Sequence, residues 1–278
     1  MPFDLFAYLK RIGQAEIACD KDGLFALQEG QLASIPFENL DPLLGVVPDL
    51  ELSSIFRKTV LLGRGGYCFE LNTLLEAAML ALGFPVRRSL ARVRMGAASG
   101  GPRSHLLLLT EIDGHRYLAD AGFGGPGSKV PLALDTQEEQ VAPNGSYRIV
   151  RDPHSGESVV ERRTDTGWFA LYGFDEAFVG DMDVVAANYL CATWPGAPFR
   201  DHLMLNGYDG SERIGVFDLG VTVETTAGQR RREFEGFDDF AETLTTRIGI
   251  TLEAETLQTV WDRIGKADRL RQGDENVA

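Results

Sequence analysis

Cysteine is scarce in this chain, with only Cys19, Cys68 and Cys191 among 278 residues. Three widely spaced cysteines build neither a disulfide framework nor a structural zinc site, and a sparse, odd count suits a reducing compartment. Basic residues are also in short supply: 27 Lys and Arg stand against 41 Asp and Glu, a net charge of −14. That balance argues against nucleic-acid binding, which needs clustered cations to neutralise phosphates. Long apolar runs are missing, so no segment reads as a membrane span. The opening MPFDLFAYLKRIG lacks the basic and apolar regions of a signal peptide. The expectation is a cytoplasmic protein that uses neither membrane nor nucleic acid. With 44% hydrophobic and 24% charged residues, disorder, collagen and coiled-coil rods are excluded as well.

The pattern along the chain falls into three zones. Residues 1–84 read as helical. Phe3, Phe6, Leu9 and Ile12 form one stripe closed by Gly13, and Leu24, Leu27 and Leu32 form a second before Pro36. Leu71, Leu74, Leu75, Ala78, Met79 and Leu82 give the clearest helical spacing, with Gly83 as a stop. From Val86 to Phe174 the period shortens to that of strands. SHLLLLTEI and HRYLAD flank Asp113-Gly114, a strong hairpin signal. SYRIVRD, SVVERRT and WFALYGF continue as short strands of a barrel or meander. A helix near 183–192 follows. Beyond it come strand-like LMLNGY, GVFDLG and VTVETT, helices near 237–248 and 252–264, and a frayed tail RQGDENVA.

The segment GRGGYCFELN places Cys68 at the first turn of the strongest helix. Unpaired N–H groups and the positive end of the helix dipole there favour thiolate over thiol. Gly65 and Gly66 leave the approach bare. The competing reading is an inert buried Cys acting as a small hydrophobe. Cys19 and Cys191 have no such setting and read as packing.

A reactive Cys needs a base, and there are four histidines. His115, His154 and His202 read as solvated loop residues, whereas His105 opens the apolar run LLLL. If Asp113-Gly114 is a two-residue turn, Leu109 faces Leu118, Leu107 faces Asp120 and His105 faces Gly122. His105 and Asp120 then share a sheet face as diagonal neighbours, about 7–8 Å apart at Cα. A carboxylate there would hold the imidazole tautomer, the third-group role of a triad. The competing reading of Asp120 is a cap on the following glycine turn. No His/Cys spacing offers a metal site.

Four blocks resemble the arylamine N-acetyltransferase family: IPFENLD (35–41), RGGYCFELN (64–72), SHLLLL with YLADAGFGG (104–125), and NYLCATWPGAPFRDHLML (188–205). The resemblance implies an α+β fold of N-terminal helical bundle (1–84), antiparallel β-barrel (85–182), interdomain helix and loop (183–205) and C-terminal α/β lid (206–278). The first two domains would be oriented as in cysteine proteases. It implies a Cys68–His105–Asp120 catalytic triad, with Glu38 and Arg64 as polar support. Phe37 and Phe123 would bind substrate, and Ser104, Gly124 and Gly125 the cofactor. Ser104 stands where many members carry Thr, and GAASGGPRS before His105 is a place for length variation. A long insertion of vertebrate members is lacking, which points to the prokaryotic type.

The implied reaction is ping-pong acetyl transfer from acetyl-CoA, without a metal, to small-molecule arylamines, arylhydrazines or N-hydroxyarylamines, by a monomer or small homo-oligomer. Rivals are a macrolactam-forming amide synthase of the same fold, a cysteine hydrolase and a non-catalytic binding protein. Coenzyme A is an anion and the chain is acidic. Its phosphates therefore need gathered Lys and Arg, or helix ends and glycine-loop N–H groups.

Overall fold

The computed structural model describes residues 3–275, with side chains described as far as 266. The first helices pack around a central one. α1 (Leu5–Arg11) starts at Asp4, whose carboxylate caps the Ala7 N–H. It buries Tyr8, Leu9 and Ile12. Phe6, expected on that stripe, is 76% exposed. The helix starts two residues later than its first aromatic implied, which turns the apolar face toward Tyr8. α1, α2 (Lys21–Ser34) and α4 (Leu52–Phe56), which continues as a π turn over Arg57–Leu61, pack on α5 (Cys68–Ala81), whereas α3 (Leu40–Leu43) buries Leu40 and Leu43 in the C-terminal core. α5 is buried at Cys68, Phe69, Leu71, Leu74, Leu75, Ala78 and Met79, so its sequence is apolar around most of its circumference.

The first zone is not purely helical. Its β1 (Phe37–Glu38) pairs antiparallel with β10 (Met204–Asp209), in a sheet ordered β1-β10-β11-β12-β13. β11 is Glu212–Phe217, β12 Gly220–Thr225 and β13 Gly228–Glu233. GVFDLG is therefore no single strand: the chain turns at Asp218, which has φ of +50°. β13 escapes a periodicity reading because GQRRRE carries no apolar residue and is exposed throughout. α7 (Phe237–Glu242), a π turn over Thr243–Ile248 and α8 (Ala254–Glu275) complete this region. Phe234, Phe240, Leu244, Ile248, Val260 and Ile264 are buried with strand residues Leu205, Ile214, Val216 and Val221. α8 carries the segment read as a frayed tail up to Glu275, and 276–278 lie outside the described residues.

Between these regions lies an eight-stranded antiparallel sheet, ordered β5-β4-β3-β2-β9-β8-β7-β6. Its strands are β2 (Val86–Val93), β3 (Arg103–Ile112), β4 (His115–Ala119), β5 (Leu132–Ala133), β6 (Gln140–Ala142), β7 (Gly145–Arg151), β8 (Ser158–Thr164) and β9 (Gly167–Phe174). Its two edges meet through one side chain. Gln140 accepts from Ala133 N–H at 2.7 Å and donates to Ala133 C=O at 2.9 Å, closing the sheet into a nearly complete barrel. Closure spares the edge strands unpaired backbone groups. α6 (Asp181–Thr193) leads from the barrel to β10. No helix among the described residues is long and apolar enough to cross a membrane.

Candidate active site

The β3–β4 hairpin carries the register the sequence implied. Ile112 pairs with His115, Leu109 with Leu118 and Leu108 with Ala119 across the Asp113-Gly114 turn, whose φ values are +51° and +78°. Both residues sit in the left-handed region, as a two-residue hairpin turn requires. Beyond Ala119 the ladder ends and His105 pairs instead with Ala91 of β2. His105 Nε2 lies 2.7 Å from Asp120 Oδ2. Both residues are buried.

Asp120 is held from several sides. Tyr172 donates to Oδ2 at 2.9 Å, and Asn72 Nδ2 and Gly122 N–H donate to Oδ1 at 2.9 and 3.0 Å. Asn72 also donates to Leu106 C=O and accepts from Ala121 N–H. Asn72 and Cys68 are four residues apart and so share a face of α5. Burial opposes the Asp120 charge, but His105 and these donors outweigh it and hold the carboxyl below its ordinary value.

For His105 the balance is similar. Burial lowers its pKa, yet the charge and hydrogen bond of Asp120 dominate and raise it to about 10. With Nε2 on Asp120, Nδ1 is the nitrogen left for Cys68, which lines the same cavity as His105. Burial pushes the Cys68 thiol up, and His105 pulls it back only in part. The lowered thiol pKa expected from the helix start alone is therefore corrected: desolvation leaves the thiol raised.

Cys68 opens onto a cavity of about 300 Å³. Phe37, Ser104, His105, Phe123, Gly124 and Gly125 line it too, so the sequence-derived candidates converge on one space. Phe123 rests edge-on against His105, with ring centroids 5.2 Å apart. Further lining comes from Leu190, Trp194, Phe199 and Met204, which lie in the 188–205 block but carried no assigned role, and from Val93 and Met95, which no motif had marked.

Glu38 and Arg64 lie behind the nucleophile loop. Arg64 Nη2 is 2.6 Å from Glu38 Oε1, and the Glu38 side chain is fully buried. A surface ion pair, the bland alternative, is excluded. Lys58 and Asp41, unremarkable in sequence, join this cluster: Lys58 Nζ lies 2.6 Å from Asp41 and 2.9 Å from Glu70. Glu70 in turn accepts from Tyr67 N–H at the start of α5.

Three histidine and cysteine readings change. His115 and His154 are exposed, but His202 is half-buried, 2.7 Å from Asp218 and stacked on Phe217. Cys19 is exposed and packs nothing. Cys191 is buried but lines the same cavity as Cys68. The fold brings together residues far apart in sequence, which no local pattern reports.

The matching family model is that of N-acetyltransferase, over residues 20–257. The arylamine N-acetyltransferase of Mycolicibacterium smegmatis is 32% identical over 91% of this chain and 94% of its own length. This chain belongs to the arylamine N-acetyltransferase family. The arylamine N-acetyltransferase / N-hydroxyarylamine O-acetyltransferase of Salmonella typhimurium is 37% identical over 66% of this chain and 65% of that protein, just under two thirds of its length. The Mycobacterium marinum arylamine N-acetyltransferase, solved in complex with CoA, superposes with a TM-score of 0.87 at 30% identity, covering 94% of this chain and 99% of that one. The α+β fold of helices, barrel and C-terminal α/β region is thus the family's own.

The anion problem has a geometric counterpart within this family member. Among the described residues no Lys or Arg lines the Cys68 cavity. Arg92 and Arg103, each next in sequence to a lining residue, pair with Glu157 and Asp175. Cations gather instead in a second cavity of about 440 Å³, lined by Lys129, Arg162, Tyr208, Arg213 and Glu224. The loop Gly124–Lys129 joins the two: Gly124, Gly125 and Pro126 border the first and Lys129 the second. Among the described residues no group of His, Cys, Asp and Glu is arranged to hold a metal.

Proposed function

We propose that this chain transfers an acetyl group from acetyl-CoA, through a thioester on Cys68, to the nitrogen of arylamines, arylhydrazines or N-hydroxyarylamines. The observation that carries the proposal is that Cys68 and His105 line one largely apolar, aromatic cavity, with the buried Asp120 bonded to the imidazole.

In the first half-reaction the proton of the Cys68–His105 pair rests on the imidazole, and Cys68 sulfur attacks the acetyl carbonyl as the thiolate. The C–S bond to coenzyme A breaks, and coenzyme A leaves with a proton from the imidazolium. One thioester replaces another, so the exchange is close to balanced. In the second, the amine nitrogen attacks the acetyl-enzyme, His105 takes its proton and Cys68 is released. Asp120 keeps Nε2 occupied and stabilises the imidazolium. Phe37 and Phe123 offer aromatic faces to a flat amine. Aromatic amines suit the site because their nitrogen is largely unprotonated near neutrality.

Ser104, Gly124 and Gly125 flank the pantetheine path in this reading, and the cleft of Lys129, Arg162 and Arg213 takes the phosphates at the end of the connecting loop. Glu38 and Arg64 support the nucleophile loop. Residues 1–84, 85–182 and 206–278 act as bundle, barrel and lid, joined by 183–205. We place the enzyme in the cytoplasm as a monomer or small homo-oligomer.

Intact-mass analysis after mixing with acetyl-CoA tests the reading. One acetyl group on Cys68, discharged by an added aniline, is expected. An unmodified Cys68 in active protein overturns it, and discharge to water alone would indicate a hydrolase.

A further inference from the structure

Cys191 has no part in the reaction above, yet it faces the same space as Cys68. The two sulfurs address one backbone oxygen: Cys68 Sγ lies 3.7 Å and Cys191 Sγ 3.4 Å from Ser104 C=O. They are therefore no more than about 7.1 Å apart. A second anchor fixes this approach. Tyr67, the residue before Cys68, donates its hydroxyl to the Asn188 side chain, and Asn188 donates to Pro48 C=O at 3.0 Å. Asn188 stands three positions before Cys191 on α6, so both point from the same helix face toward the start of α5.

We infer that Cys68 and Cys191 form a redox pair, in which a hydroperoxide converts the nucleophile into a Cys68–Cys191 disulfide that reversibly closes the active site.

The chemistry is complete with hydrogen peroxide as oxidant. Cys68 sulfur, as thiolate, attacks one peroxide oxygen, the O–O bond breaks, and the departing hydroxide leaves as water with the proton held on His105. Cys68 is now a sulfenic acid. The Cys191 thiol attacks the Cys68 sulfur, the S–O bond breaks, and hydroxide takes the Cys191 proton and leaves as a second water. Two thiols are oxidised by two electrons and one peroxide is reduced to two waters. Forming an S–S bond of about 2.05 Å requires both sulfurs to move inward. Changes of χ1 rotamer are the motions that would bring them together, since they leave the helix backbones in place.

The division of labour follows from the surroundings. Cys68 has His105 beside it to take a proton. Burial drives the Cys191 thiol up to about 12, so it stays protonated and unreactive until a sulfenic acid stands next to it. Cys19 is exposed, with no described partner cysteine, and serves as the control.

The experiment is peroxide titration followed by non-reducing peptide mapping and mass spectrometry of wild type, Cys191→Ser and Cys19→Ser. In wild type and in Cys19→Ser, a peptide linking Cys68 to Cys191 is expected, with at least tenfold loss of each protein's starting activity, restored by dithiothreitol. In Cys191→Ser the link is absent. Cys68 is trapped there by a sulfenic-acid reagent, or proceeds to sulfinic acid that dithiothreitol does not rescue. The cross-link is read by mass, so its outcome is separate from that of acetyl transfer. Sulfenic acid on wild-type Cys68 with no Cys68–Cys191 peptide overturns the inference.

Discussion

His105 Nε2 and Asp120 Oδ2 stand 2.7 Å apart even though the ladder of their hairpin ends at Leu108 and Ala119, before either residue is reached. The hairpin sets which face each residue occupies, but other elements bring them into contact. Asn72 from α5 and Tyr172 from β9 hold the carboxylate where the imidazole can meet it.

Asn72→Ala is therefore expected to cost about 2–4 kcal/mol of stability, since Asp120, Leu106 C=O and Ala121 N–H all lose a buried partner. Tyr172→Phe removes one donor and should cost about 1 kcal/mol. Denaturant melts together with kcat should rank them in that order. Equal, small effects would show that Asp120 is positioned by the backbone alone.

Stability should also depend on pH through His105. Its folded pKa is raised to about 10 against an ordinary value of 6.5. The folded state therefore keeps a proton that the unfolded state sheds. This stabilisation is complete below pH 6.5 and is lost as pH rises through about 10. Wild type should lose Tm steadily across that window, and His105→Gln should show a shallower slope. Parallel slopes would refute the assignment.

The charge cluster under α5 makes a separate prediction. Burial raises the Glu70 pKa to about 7, with Lys58 opposing the rise. Removing that cation in Lys58→Met leaves Glu38, Asp41 and Glu70 with Arg64 alone, at a cost of about 3–5 kcal/mol. Glu70 then titrates higher still. A carboxyl raised in the fold loses its stabilising contribution as pH rises, so the deficit should be larger at pH 8 than at pH 6. Urea midpoints at the two pH values check this.

Gly124 has φ of +71°, and a Cβ there would sit 2.3 Å from the Phe37 ring. Gly124→Ala should displace the loop or the ring and lower kcat/KM by at least tenfold. Left-handed strain alone contributes about 1–3 kcal/mol. Gly125→Ala meets nothing closer than 3.9 Å and should cost far less. Steady-state kinetics of the two neighbours separate crowding from a general loss of glycine freedom.

Lys129 lies 3.7 Å from Glu29 and 4.6 Å above the Tyr208 ring, at the end of the loop that leaves the cavity. Lys129→Ala should raise KM for acetyl-CoA about fivefold, equivalent to about 1 kcal/mol, and leave KM for the amine unchanged. Added salt should erase the difference. An unchanged KM would move the phosphates elsewhere.

Local chemistry alone marked out much of this protein. The glycine loop and apolar helix fixed Cys68 at an N-terminus, and the Asp113-Gly114 turn fixed the register that puts His105 and Asp120 on one face, because turn type and strand period are short-range properties. Tertiary structure decided the rest. Lys58, Asp41 and Glu70 join Glu38 and Arg64 only when the π turn after α4, α3 and the start of α5 come together. His202 finds Asp218 only because β10 and β11 pair. Desolvation reverses the expected shift of the Cys68 thiol, since burial is a property of the whole fold. The opening scarcity is sharpened in the same way. Of three cysteines, sequence singled out one, and only the packing of α6 against the start of α5 brings a second to the same cavity.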